Sequence, residues 1–398
     1  MVDSRADQHK VRLELADVVR RFGPDYLAHY GSSMMPSQRK ALADIEACCT
    51  PALGGRLYHC DDCDQSFWRC HCCRNRACPK CHGPQTQKWL QQRQAELLPC
   101  AYFHAVVTIP SLLHALFRRH QKLLYGLLMP VAAQAVQELC AHKRHLGALP
   151  GLLAVLHTWN GQLGYHPHVH LLITGGGITA DGQHWQSARG EFLVPVSQLS
   201  RKVAALFRDA LQAKDPALFA TIPATVWQGP WVTFCKHYGQ GHEAVLTYLS
   251  RYVFRTALSN ARLVDMDQTH VTFRFKDRKA GTWRTERLEG VAFLRRFLQH
   301  VLPRGFHKVR YYGLWHPSKR SQSNRAWLLL TLEQLADPPA PPKLADLLQT
   351  LSQLTDETDQ ACPKEAEGVR ANPRCPHCGS QQTRLLGEWS RWRVPWAS

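Results

Sequence analysis

The chain has 398 residues, enough for two or three domains and a sizeable core. Its 49 Lys and Arg against 31 Asp and Glu leave a net charge of +18, which favours a polyanionic partner, most often nucleic acid, although ribosomal, membrane-surface and heparin-binding proteins share such a charge. The opening Met1-Val-Asp-Ser-Arg-Ala-Asp lacks the apolar core of a signal peptide and no bilayer-spanning run is expected, so the chain reads as cytoplasmic and without membrane contact. In that compartment its 15 cysteines read as thiols and metal ligands rather than as a disulfide framework.

Residues from about 10 to 50 are expected to be helical, with apolar spacing in Val11, Leu13, Leu15, Val18 and Val19 and a break at Gly23-Pro24. From Cys60 the composition changes. Cys60-Asp-Asp-Cys63 and Cys78-Pro-Lys-Cys81 are two Cys-x-x-Cys knuckles whose four thiolates can close tetrahedrally on one structural zinc ion. Cys73, Cys48, His59 and His82 are spare donors, leaving open a different ligand set, with Cys73 as the alternative, or a second ion. Arg69, Arg74, Arg76 and Lys80 accompany Phe67 and Trp68 there, a mixture suited to phosphate contacts and base stacking.

A helix is expected around Gln85–Leu98, a strand over Ala101–Pro110, an apolar helical region over Ser111–Cys140 and a second strand over Gly151–Trp159. Tyr165-His-Pro-His-Val-His-Leu-Leu-Ile-Thr-Gly-Gly-Gly177 follows. Side chains alternate along a strand, so His168 and His170 share one face, a ready pair of metal ligands, while Val169, Leu171 and Ile173 face a core. Gly175, Gly176 and Gly177 are expected to end that strand and to let backbone approach a ligand.

Residues 197–213 form an amphipathic pattern with Ser197 as its N-cap, and Trp231–Lys236 is a candidate fourth strand. On the helix expected from about His242 to Ala257, Tyr248 and Tyr252 stand four apart and hence on one face, with Arg251 and Arg255 to one side. A metal pair followed by a tyrosine pair suggests phosphoryl transfer through a covalent phosphotyrosine. Further on, His270–Lys276 turns through Gly281 into Trp283–Arg287, a basic hairpin with Arg274 and Lys276 among aromatic residues. A helix over Gly290–Val301 then leads to Arg304–Gly313. Asp337-Pro-Pro-Ala-Pro-Pro342 reads as a stiff linker, and Cys375-Pro-His-Cys378 as a third knuckle that could recruit Cys362 or His377.

Cys73-Arg-Asn-Arg-Ala-Cys-Pro-Lys-Cys81, His157-Thr-Trp159, His166-Pro-His-Val-His170, Tyr248-Leu-Ser-Arg-Tyr252, Ala257-Leu-Ser-Asn260 and Phe297–Pro303 together resemble, in that order, segments of the insertion-sequence ninety-one family of rolling-circle transposases, two-tyrosine members of the HUH endonuclease superfamily. One departure is Ala77, where the family often has histidine. The resemblance implies an α+β fold: a helical, zinc-bearing N-terminal domain, then an HUH catalytic domain whose central antiparallel sheet carries the histidines and is crossed by the tyrosine helix. The expected segments are 1–98 for zinc binding and DNA recognition, 99–262 for catalysis, 263–335 as a basic DNA-contacting extension, and 336–398 as linker and tail.

The implied activity is nicking and rejoining of single-stranded DNA, at hairpin-bearing transposon ends and at target DNA. Tyr248 and Tyr252 are the nucleophiles, and attack by Tyr248 leaves a 5′-phosphotyrosine and a free 3′-hydroxyl. His168 and His170 hold magnesium or manganese. Gln162, His157, His166 and Glu243 are on offer as third ligand, Gln162 or His166 foremost. Without a phosphate-binding Gly-x-x-x-x-Gly-Lys-Ser/Thr loop, unwinding falls to a host helicase. Competing readings are a non-catalytic zinc-dependent DNA-binding protein and a plasmid replication or conjugation nickase.

Overall fold

The structure is a computed structural model that describes residues 12–81, 97–241, 245, 248, 252, 253, 255–277, 280–336 and 372–390. In chain order its helices are α1 (Leu15–Tyr30), α2 (Pro36–Glu46), α3 (His114–Arg119), α4 (Gln121–Ala141), α5 (Val196–Lys214), α6 (Pro216–Ala220), α7 (Thr225–Gln228), α8 (Gly290–Leu298) and α9 (Arg320–Ala336). Its strands are β1 (Gly55–Cys60), β2 (Gln65–Cys70), β3 (Ala101–Thr108), β4 (Leu149–Trp159), β5 (Tyr165–Ile178), β6 (Trp185–Ser187), β7 (Val232–Gln240), β8 (Leu263–Met266), β9 (His270–Lys276), β10 (Trp283–Glu289), β11 (Val309–Gly313) and β12 (Thr383–Trp389). The expected helix before Leu97, the linker at 337–342, most of the tyrosine helix and the candidate ligands His82, Glu243 and Cys362 lie outside the described residues.

These elements form two compact units that interleave in sequence. The first gathers described residues of Met1–Pro84, Leu258–Leu298 and Glu357–Ser398, and the second those of Gln85–Ala257 and Gln299–Asp356. The four consecutive segments expected from the sequence therefore do not coincide with the units. In the first unit, α1 buries Leu15, Val18, Val19, Phe22 and Tyr26 along one stripe, and it does not break at Gly23-Pro24. Pro24 removes one backbone donor, but Phe22 before it and Tyr26 after it are both buried, and that packing holds the helix through the proline. The buried Asn260 accepts the Leu15 amide at 3.0 Å, satisfying one of the open donors of the first turn.

The second unit is built on an antiparallel six-stranded sheet of order β11-β4-β5-β3-β7, with β6 also paired to β5. Alternation sorts its side chains. Val107, Ala105 and Phe103 of β3, Leu156, Ala154 and Leu152 of β4, and Val169, Leu171 and Ile173 of β5 enter one core with α4 and α5. In α4 the chain does contain a run apolar and long enough to cross a membrane, contrary to the sequence expectation, with 56% of its most apolar window buried inside the protein. It packs as a core helix, burying Leu124, Tyr125, Leu128, Met129 and Val136. Helix α5 begins at Val196 after Pro195, so Ser197 lies in its first turn and makes no cap.

The three glycines continue β5 rather than ending it, and what they admit is neighbouring protein. A Cβ on Gly177 would come within 2.4 Å of the Leu149 carbonyl oxygen, one on Gly175 within 2.7 Å of the Ala101 carbonyl oxygen, and one on Gly176 within 2.6 Å of the Trp185 ring.

Candidate active site and cysteine clusters

The opposite face of the same sheet carries the histidines. His157 on β4 stands directly across from His168 on β5, and His170 follows two residues along on the same face. The β4–β5 register slips between His157 and Trp159, where His166 and Pro167 of β5 bulge opposite the single residue Thr158, and the Thr158 hydroxyl meets His300 Nδ1 at 3.1 Å. The connecting turn is held in place. Leu163 is buried with φ 58°, and its carbonyl accepts from Gln299 and from His300, each at 3.0 Å.

One ring nitrogen from each of His157, His168 and His170 lies within 4.8 Å of the others, and all three residues are buried. The remaining nitrogens are engaged. His157 Nε2 donates to the Tyr252 carbonyl at 2.6 Å, and His168 Nδ1 donates to the His166 carbonyl at 2.6 Å. These bonds leave His157 Nδ1 and His168 Nε2 with lone pairs to offer. His170 Nδ1 is 2.9 Å from His104 Nε2, so donation to His104 leaves His170 Nε2 as the third donor. Such outer partners fix tautomer and ring orientation in metal-binding histidines. Burial holds His157 well below the usual histidine range and brings His104 down to about 4, so both rings are neutral at pH 7.

The third histidine of the cluster is His157, one of the four residues on offer as third ligand. Gln162 is exposed in the β4–β5 turn, and His166, whose ring centroid lies 5.3 Å from that of His168 and 6.0 Å from that of His114, is not in the converging group. Strand spacing alone gives His166 the same face as His168, but it cannot show that a cross-strand neighbour brings a better-placed ring.

Both tyrosines lie over this face. Val245 and Tyr248 are helical, and Tyr252 and Val253 form a wider, π-type turn, a feature frequent at functional sites. The Tyr252 ring lies 4.2 Å from His170 and 4.8 Å from His104, and Tyr248 packs 4.9 Å behind it. Tyr248 is fully buried among Tyr102, Leu153, Val155 and Leu172, and its hydroxyl has no hydrogen-bond partner among the described residues. Burial holds its phenol well above the usual tyrosine range, and the neighbouring Tyr252 and Tyr238 add to the effect.

In the first unit the cysteines form two sets, Cys48, Cys73, Cys78 and Cys81 in one and Cys60, Cys63, Cys375 and Cys378 in the other. The expected single site of Cys60, Cys63, Cys78 and Cys81 does not form. In the β1–β2 hairpin Cys60 pairs with Gln65 at the turn, whereas Gly55 pairs with Cys70 at the far end. Five strand steps of about 3.4 Å therefore put Cys60 roughly 17 Å from Cys70, after which the chain runs on to Cys78 and Cys81. In the first set the sulfurs of Cys48 and Cys81 are 3.4 Å apart, those of Cys73 and Cys81 3.5 Å, and those of Cys48 and Cys78 3.7 Å. Four thiolates about 2.3 Å from a tetrahedral zinc ion sit about 3.8 Å from one another, so these spacings are compatible with a structural zinc site.

A family model described as "Transposase zinc-binding domain" matches residues 18–109, and one described as "Putative transposase" matches residues 151–323. The protein named "Putative transposase y4qJ" of Sinorhizobium fredii is 36% identical over 392 residues, covering 91% of this chain and 98% of that protein. The chain belongs to the insertion-sequence ninety-one transposase family. A second relative, "Transposase for insertion sequence element IS801" of Pseudomonas savastanoi pv. phaseolicola, is 28% identical over 285 residues, 67% of each chain. No solved structure matches.

In this transposase the basic residues singled out from sequence have varied surroundings. Arg74 and Arg76 are exposed, but Lys80 is ion-paired with Glu14 at 2.5 Å. Arg274 is exposed, with its guanidinium 5.0 Å over the Trp283 ring and its Nε donating to the Ala261 carbonyl at 3.1 Å; Lys276 is exposed nearby on β9. Arg255 is exposed and its carbonyl accepts from Lys308, whereas Arg251 lies outside the described residues. Sequence reasoning missed His104. Its one signal was a histidine in an otherwise apolar buried strand, Ala101–Thr108.

Proposed function

We propose that this transposase nicks and rejoins single-stranded transposon ends by a rolling-circle route through 5′-phosphotyrosine intermediates. The observation that carries the reading is the Tyr252 ring set 4.2 Å from His170, within a buried cluster of three converging histidines. His157, His168 and His170 would hold a divalent ion. When bound, such an ion polarises the scissile phosphate and offsets the charge on the leaving oxygen. Three imidazoles favour manganese over magnesium, which prefers oxygen ligands.

Tyr252, beside the histidines, makes the first attack. Its phenolic oxygen bonds to phosphorus as the bond from phosphorus to the 3′-oxygen breaks, and in the net step the phenolic proton is replaced by one gained at the 3′-hydroxyl. The phosphotyrosine keeps the energy of the phosphodiester, so a 3′-hydroxyl of another strand can reverse the step without ATP. Tyr248, buried behind it, serves the second transfer once strand binding has opened its surroundings. Arg74, Arg76, Lys80, Arg251, Arg255, Arg274 and Lys276 hold phosphates, the cysteine-rich module recognises the ends, and the work takes place in the bacterial cytoplasm on the nucleoid.

The test incubates the protein with labelled single strands from its own element's ends, in manganese or EDTA, and looks for a denaturation-resistant adduct. Wild type should form it only with manganese. His168→Ala and Tyr252→Phe should form none, and Tyr248→Phe should form it but fail to complete the second transfer. No adduct on authentic ends with binding intact would overturn the proposal in favour of a non-catalytic DNA-binding protein.

A further inference from the structure

We infer that Cys60, Cys63, Cys375 and Cys378 form a second zinc site, distinct from the Cys48 set, which fastens the C-terminal strand β12 to the N-terminal module. Cys375 and Cys378 lie far outside residues 18–109 that match the zinc-binding family model. The two cysteine pairs meet across the fold: Cys63 and Cys375 sulfurs are 3.6 Å apart although 312 residues separate them, and Cys60 and Cys378 sulfurs are also 3.6 Å apart. Such spacing is far too long for a disulfide, near 2.05 Å, and close to the edge of a zinc tetrathiolate, about 3.8 Å.

The knuckles are built alike. In one, the Asp64 amide donates to the Cys60 carbonyl at 3.0 Å and Asp64 has φ 56°; in the other, the Gly379 amide donates to the Cys375 carbonyl at 2.9 Å and Gly379 has φ 77°. Each therefore closes the same turn through a left-handed residue just after its second cysteine. The His377 amide also points at Cys375 Sγ, 3.4 Å away, a donor that favours the thiolate.

Among the described residues, the apolar core beside this site is small. The local buried cluster consists of Tyr58, Phe67, Cys60 and Cys375, with Cys63 packed alongside. A core of two aromatic rings is the size at which small modules depend on a metal. The β1–β12 ladder, which pairs Cys60 with Thr383 and Gly55 with Trp389, runs directly from the knuckles, and Arg384 Nε meets Asp61 at 3.0 Å. Zinc at this site would make strand β12 part of the N-terminal module, so the module is complete only after the distant C-terminal knuckle has been synthesised.

The experiment measures metal content of the purified full-length chain by inductively coupled plasma mass spectrometry, with limited proteolysis in parallel. All chains carry His168→Ala so that the histidine cluster adds no zinc, and the one with every cysteine intact should carry two zinc ions. Cys375→Ser with Cys378→Ser should carry one and become newly cleavable between residues 372 and 390, while Cys78→Ser with Cys81→Ser should also carry one, held by the other set. Cys378→His, which preserves a zinc-binding donor, should retain two. One zinc ion in the chain with every cysteine intact, two in the Cys375/Cys378 variant, or iron in place of zinc would overturn the inference.

Discussion

His104 has no place in the expected ligand set, yet it joins the His170 ring to both tyrosines. With its Nε2 accepting from His170 Nδ1, it positions a proposed ligand rather than serving as one. Outer-shell partners of this kind typically change metal affinity by about 10–100-fold. His104→Ala should therefore need about 10–100-fold more manganese for half-maximal adduct formation. The yield should recover at saturation, and His104→Gln, which retains an acceptor, should recover most of the affinity. A loss of yield that no manganese concentration restores would mean that the residue does more than orient His170. His300 makes a different prediction. Buried, and bonded through both nitrogens to Thr158 and Leu163, it has its pKa pushed down to about 4. An unfolded histidine titrates near 6.5, so the unfolded chain takes up the proton first as pH falls, and stability declines from about pH 6.5 towards 4. The contribution is fully present above pH 6.5 and amounts to at most about 3 kcal/mol. Thermal unfolding of His300→Gln should depend less on pH between 7 and 5 than that of wild type, whatever its absolute stability.

At the scale of the element, β5 is the informative strand, and its alternation was legible from the residues themselves. Val169, Leu171 and Ile173 face the helices, His168 and His170 face the tyrosines, and the strand is central in its sheet. What sequence could not supply was register. Only pairing brings His157 opposite His168, just before the bulge at His166-Pro167 shifts the register. The glycine run was misread for a related reason: a ligand and a neighbouring strand both require the absence of a Cβ, and only the fold shows which one is present. Gly177→Ala forces a methyl against the Leu149 carbonyl at 2.4 Å and Pro150 N at 2.9 Å, backbone atoms that cannot rotate away. It should destabilise the protein by about 2–3 kcal/mol, the range of overpacked cores. Gly182→Ala, in a turn with φ 71° and open space around it, should cost about 1–2 kcal/mol through backbone strain alone. Urea unfolding midpoints of the two variants would rank them, and the reverse order would refute the packing account.

On the scale of the whole molecule, the two units could not be read as consecutive blocks, because nothing local in Cys375-Pro-His-Cys378 announces a return to Cys60. The +18 net charge was legible but says little about where DNA lies, since exposed charges act over only about 10 Å at 0.1 M salt. Salt dependence can separate diffuse charge from direct contact. Each phosphate neutralised on a single strand contributes about −0.7 to the slope of log affinity against log salt concentration. Arg274, braced over the exposed Trp283, and Lys276 on the same strand form a compact basic and aromatic surface of the kind that tracks a single strand. If each neutralises one phosphate, Arg274→Gln with Lys276→Gln should make the slope shallower by about 1.4. Over a tenfold rise in salt, wild type should then lose roughly 25-fold more affinity than the variant, measured by fluorescence anisotropy on one labelled strand. An unchanged slope in a folded variant would exclude these side chains as phosphate contacts and return the DNA path to the other basic residues.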